Sequence, residues 1–104
     1  MGTTQLKIDT QIDGTQATVT VDGKLTTLTA AELEAAVLGL PDEITDVTFD
    51  FADLEYIASA GLRVLVSTEK SMVARGGHAH LRNANEEVVE VFEMTGLAEV
   101  FDIA

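Results

Sequence analysis

Residues 44–82 read ITDVTFDFADLEYIASAGLRVLVSTEKSMVARGGHAHLR, and the spacing of their apolar positions changes twice. From Ile44 to Phe51 the period is two, with Val47, Phe49 and Phe51 on one face, which predicts a strand. Leu54 and Ile57 read as core residues in the turn that follows. From about Ala60 to Arg75 the spacing becomes helical. Leu62, Leu65, Val66, Met72 and Val73 form one stripe there, and Gly76-Gly77 ends it. His78 to Arg82 predicts another short strand. Strand, helix and strand in this order read as a crossover unit of a sheet.

The flanks extend the same pattern. The first twenty-two residues read as a hairpin, in which Leu6, Ile8 and Ile12 alternate with polar residues before the turn dipeptide Asp13-Gly14. Ala17, Val19 and Val21 alternate in the return strand. Thr29-Ala30-Ala31-Glu32 has the form of a capping box, so a helix is expected from about Ala30, with Leu33, Val37 and Leu40 inward and an end by Pro41. Asn85 is the expected N-cap of a third helix, with Val88, Val91 and Phe92 inward and Glu86, Glu90 and Glu93 outward. Gly96 stops that helix, and Val100 to Ile103 supplies a last short strand. The order β-β-α-β-α-β-α-β predicts a single α/β domain over residues 1–104. Its mixed β-sheet has an N-terminal hairpin and crossover helices.

Composition mainly excludes. Of 104 residues, 46% are hydrophobic, enough to fill the core of one domain. Eighteen acids against six Lys+Arg leave a net charge of −12. Nucleic acid and anionic membranes are therefore not expected partners, since both require cationic surface. A soluble monomer is expected from the same charge. With no cysteine there is neither a disulfide nor a thiolate site. Met1-Gly2-Thr3-Thr4-Gln5 lacks the basic and apolar regions of a signal peptide, so the expected compartment is the cytoplasm.

No catalytic set emerges from the polar residues. His78 and His80 leave one strand face together, but nothing nearby completes a metal site at recognisable spacing. Asp50, Asp53 and Glu55 cluster between strand and helix without a glycine-rich phosphate loop, and read as a solvated loop. Ala58-Ser59-Ala60-Gly61 does not match the nucleophile elbow of a hydrolase. No metal or cofactor is expected, and the chain reads as a binding module rather than an enzyme.

The informative segment is Tyr56 to Val66. Residues 56–68 contain no acid in a chain that has eighteen, and Arg63, Lys70 and Arg75 all lie on the helix that follows. Ser59 falls where the helix begins. It is expected as the N-cap, its hydroxyl on free backbone N–H groups at the positive end of the helix dipole. At 100° per residue, Ala60, Val64, Thr68 and Ser71 project away from the apolar stripe, and all are small or uncharged. That side is the expected docking face. Glu69 projects into the middle of the stripe, at odds with its neighbours.

These residues resemble those of the STAS-domain anti-sigma-factor antagonists, over nearly the whole chain. Gly23-Lys24-Leu25 looks like the family's turn before the first helix, and Ser59-Ala60-Gly61-Leu62 like its phosphorylation-loop motif. Gly76-Gly77 and Phe92-Glu93-Met94-Thr95-Gly96-Leu97 resemble two further family segments. The resemblance implies partner switching. The unphosphorylated protein would bind an anti-sigma factor that is also a serine kinase, freeing the sigma factor. Phosphorylation at Ser59 would end the contact, and a serine phosphatase would restore it. ATP would belong to the kinase. Partner contacts would fall on Thr26, Ala58, Ser59, Ala60, Gly61, Arg63, Val64, Thr68 and Ser71. Ala58 departs from the acid usual before the acceptor, and Thr26-Thr27 follow Leu25 where an acid is common. A STAS accessory subunit of a lipid-transport ATPase, not regulated by phosphate, is the alternative reading.

Overall fold

Alternating residues on facing strands organise the sheet seen in the computed structural model, which describes residues 6–103. Residues 1–5, included above in the hairpin and in the signal-peptide reading, lie outside the described residues. The hairpin consists of β1 (Leu6–Asp13) and β2 (Gln16–Leu25), followed by α1 (Ala30–Leu38) and β3 (Asp46–Asp50). Then come β4 (Leu54–Ile57), α2 (Ser59–Ala74), β5 (Ala79–Arg82) and α3 (Glu86–Met94). A single 3-10 turn, Leu97–Glu99, leads into β6 (Asp102–Ile103).

The sheet order is β1-β2-β3-β5-β6, with β4 also on β2. Among the described residues only β1 runs antiparallel to its neighbour; β3, β4, β5 and β6 are added in parallel. Register aligns Ala17, Val47 and Ala79 in one row and Val19, Phe49 and Leu81 in the next. All six are buried. The alternate row of Thr18, Thr48 and His80 stays at least partly open, so the helices cover one face of the sheet. Phe92 of α3 meets Phe101 edge to face at 5.6 Å and ties the C-terminal turn to this core.

Two elements differ from the sequence reading. Leu54–Ile57 is a strand, not a turn. β2 is ten residues long and β3 pairs only with its first half, so residues 23–25 accept a second parallel partner. The register shifts between Gly23 and Lys24, where Gly23 has φ +116. In β4 the buried residues are Leu54 and Ile57, three apart, and this spacing hides the strand from a period-two reading.

The second difference is at Thr29. The helix begins at Ala30 as expected, but no side-chain cap forms. The Thr29 hydroxyl instead donates to the Lys24 carbonyl at 2.9 Å and accepts the Thr26 N–H at 2.8 Å. It serves the turn leading out of β2 rather than the helix.

Candidate functional site

β4 delivers the chain to α2 through Ala58, an extended residue whose N–H donates to the Leu25 carbonyl at 2.8 Å. The Ala58 carbonyl then accepts from Gly61 at 2.9 Å and Leu62 at 3.1 Å, which starts the helix. Ala58 is therefore the N-cap and Ser59 the first helical residue, and no side-chain cap forms. This corrects the expected capping role of Ser59. Its side chain is exposed and its hydroxyl has no hydrogen bond among the described residues. The nearby N–H groups of a first helical turn lack intrahelical acceptors and carry the positive end of the dipole.

The bond from Ala58 to Leu25 also brings Thr26 beside this turn. Thr26 accepts from Leu28 at 3.2 Å and Thr29 at 3.3 Å, so its hydroxyl shapes the loop next to Ser59. Gly61 is buried, and a Cβ there would lie 2.6 Å from Leu25 side-chain atoms. Its place in the motif reflects close packing of α2 on the end of β2. Ala58 and Ala60 are half-buried, while Ser59, Arg63 and Ser71 are exposed.

Val64 and Thr68 do not lie on an outer face. They are 8% and 2% exposed, and with Val37 and Leu38 of α1 they line one crevice. α2 packs on the sheet and is flanked along one side by α1, which also packs on the sheet, so its buried arc is wider than one stripe. Leu62, Leu65, Glu69 and Met72 are buried on it together with Gly61, Val64 and Thr68, whereas Val73, expected inside, is 50% exposed. The Thr68 hydroxyl donates to the Val64 carbonyl at 2.8 Å and needs no partner outside the helix. The accessible groove between the two helices is bordered by Ala30, Ala31, Glu34, Ala60, Arg63 and Ser67, with the nearly buried Val64 also in its lining. Sequence projection missed the α1 side of it. Leu38, 77% accessible, adds apolar surface to the neighbouring crevice.

Glu69 has a structural explanation. One carboxylate oxygen accepts the Ala79 N–H at 2.7 Å, and the other lies 3.1 Å from His78 Nδ1. The acid buried in the stripe thus holds the start of β5. The two histidines face different carboxylates, His80 Nε2 lying 3.3 Å from Asp46 Oδ1. Burial by itself would raise the Asp46 pKa. Hydrogen bonds from the His78 N–H, His80 and the Thr45 hydroxyl, with the charge of His80, outweigh it and hold this carboxyl below its usual range.

Asp50 accepts from Ala52 and Asn83, both at 3.1 Å, and braces the turn after β3, while Asp53 and Glu55 are exposed. Among the described residues no group of three His, Cys, Asp or Glu could hold a metal ion. Nor is any helix among them long and apolar enough to cross a membrane.

Comparison with known proteins matches residues 7–104 to the family described as the STAS domain. An anti-sigma-B factor antagonist of Bacillus subtilis is 27% identical over 99 residues, covering 95% of this chain and 91% of the relative. The crystal structure of an anti-sigma factor antagonist from Mycobacterium paratuberculosis superposes with a TM-score of 0.83. It is 21% identical, with 95% of this chain and 85% of that one covered. The Bacillus cell fate determinant SpoIIAA in its phosphorylated form gives 0.73 at 17% identity, with 96% and 91% covered. At those identities the two structures speak to the fold.

Proposed function

The chain belongs to the STAS domain family, and from that premise we propose that it is an anti-sigma-factor antagonist switched by phosphorylation of Ser59. The name of the Bacillus subtilis relative, matched over nearly its full length, supports the class of partner. The observation that carries the switch is the exposed, uncommitted Ser59 hydroxyl at the first position of α2. Around it residues 56–68 hold no acid, on a protein of net charge −12.

The partner is an anti-sigma factor that is also a serine kinase, and it docks over Thr26, Ala58, Ser59, Ala60, Arg63 and Ser71. Thr68 and Gly61 support that surface from below, and Val64, 8% exposed, forms part of the groove floor. The γ-phosphoryl group moves from ATP held by the kinase to Ser59 Oγ. An O–P bond forms, the bond to the departing ADP oxygen breaks, and the hydroxyl proton passes to a base of the kinase. The product gains a charge of about −1.5 to −2. A tenfold loss of affinity needs only about 1.4 kcal/mol, which one desolvated phosphate in a docked surface readily exceeds. A serine phosphatase removes the group. The chain acts as a monomeric cytoplasmic binding module and catalyses neither step.

The test is to incubate the purified chain with the kinase and ATP, map the phosphate by mass spectrometry and measure binding before and after. Ser59 should carry the phosphate, and the phosphorylated chain should release the kinase. Ser59→Ala should bind and stay unmodified. Phosphate on Thr26 or Thr68 with Ser59 bare would overturn the assignment, as would capture of transport-ATPase subunits in place of an anti-sigma factor.

A further inference from the structure

A groove separate from the α1–α2 face runs between β4 and α3, lined by Glu55, Tyr56, Ile57, Glu87, Val88 and Val91. Ile57 and Val88 are buried at its base, while Tyr56 is 52% exposed. Among the described residues β4 has one strand neighbour, β2, and α3 stands at its other side. Asn85 closes that side at one end, donating from Nδ2 to the Leu54 carbonyl at 3.1 Å. Met94 is a further turn along α3 from Val91 and is 78% exposed, so apolar surface continues past the groove.

Every charged group lining this groove is a carboxylate. A neutral or acidic occupant would have to strip water from Glu55 and Glu87 with nothing in exchange. Nucleic acid would be repelled. We propose that the groove binds a segment of the partner protein presenting an apolar side chain flanked by Lys or Arg. The apolar side chain packs on Ile57, Val88 and Val91 beside the Tyr56 ring, and the cations meet Glu55 and Glu87. Tyr56 is three residues from Ser59, a chain reach of at most about 10 Å, so one partner can cover both places. The proposal rests on the kinase reading only for which protein supplies the segment.

Tyr56 is the only tyrosine in the chain and there is no tryptophan, so tyrosine emission reports on this groove directly. The full chain is titrated with a helical model peptide of Leu and Lys, and with the same peptide carrying Glu for Lys. The Lys peptide should change the emission saturably and the Glu peptide should not. Glu55→Gln with Glu87→Gln should weaken the Lys peptide by about tenfold or more, as expected for losing paired charges. The control removes two exposed acids elsewhere, Glu32→Gln with Glu43→Gln, and should stay within about twofold because distant surface charges are screened. Equal weakening in the two double variants would mean diffuse attraction to an acidic protein and would overturn the proposal, as would a response to the Glu peptide. Kinase binding is read in its own experiment with Ser59→Ala, so failure of either reading is visible without the other.

Discussion

Glu69 on α2 accepts the backbone N–H of Ala79 on β5 at 2.7 Å, although both residues are buried. A β-strand's first N–H is thus satisfied by a helix side chain rather than by a neighbouring strand. Glu69→Leu should fit the surrounding stripe yet strand that N–H, at a cost of about 1–3 kcal/mol. Glu69→Gln retains an acceptor oxygen and should lose less. Urea denaturation of the three proteins checks the order; a Leu variant as stable as the wild type would show that the bond contributes nothing.

Val64 lies in the crevice against α1 at 8% exposure, so a charge placed there has nowhere to go. Val64→Glu should destabilise the domain by at least about 2 kcal/mol. Ser67→Glu, one turn of surface away and exposed, should stay within about 0.5 kcal/mol while weakening the kinase. Thermal unfolding separates the two sites before any binding is measured. A stable, fully folded Val64→Glu protein would contradict the packing of α1 on α2.

At Gly61 a methyl group would sit 2.6 Å from Leu25 side-chain atoms and 3.1 Å from Ile57. Leu25 is fully buried and cannot swing aside cheaply. Gly61→Ala should therefore cost about 1–3 kcal/mol through overpacking, and should displace the turn that carries Ser59. The check is denaturant stability together with the initial rate of phosphorylation, both of which should fall.

Asn85 and Ser59 open two helices in different ways. The Asn85 side chain accepts the Val88 N–H at 2.8 Å and donates to the Leu54 carbonyl at 3.1 Å, whereas Ser59 makes no cap. Asn85→Ala should cost about 1–2 kcal/mol. Ser59→Ala should change stability by less than about 0.5 kcal/mol. Equal losses in calorimetry would mean that Ser59 caps α2 after all.

The pH dependence follows from Asp46. Its folded pKa lies below the ordinary Asp value, so its stabilising contribution is fully present above the unfolded pKa. As pH falls through the folded pKa, that contribution is lost. Asp46→Asn should flatten the acid limb of the stability curve between those two values. An unaltered acid limb in urea titrations at graded pH would remove Asp46 from the account.

Periodicity and punctuation made most of this fold legible. The alternation of Val47 and Phe49, the Asn85 cap and the Gly76-Gly77 stop act between residues close in sequence, so their meaning survives without a neighbour. The motif at Ser59 to Leu62 was readable for the same reason. Tertiary structure decided what each face meets. Whether Val64 is surface or core depends on α1 crossing α2, whether residues 54–57 form a strand depends on the free half of β2, and the role of Glu69 depends on a strand ten residues away. Each of these is a contact between elements, and a one-dimensional spacing fixes how a side chain points from its own element without fixing what stands opposite it.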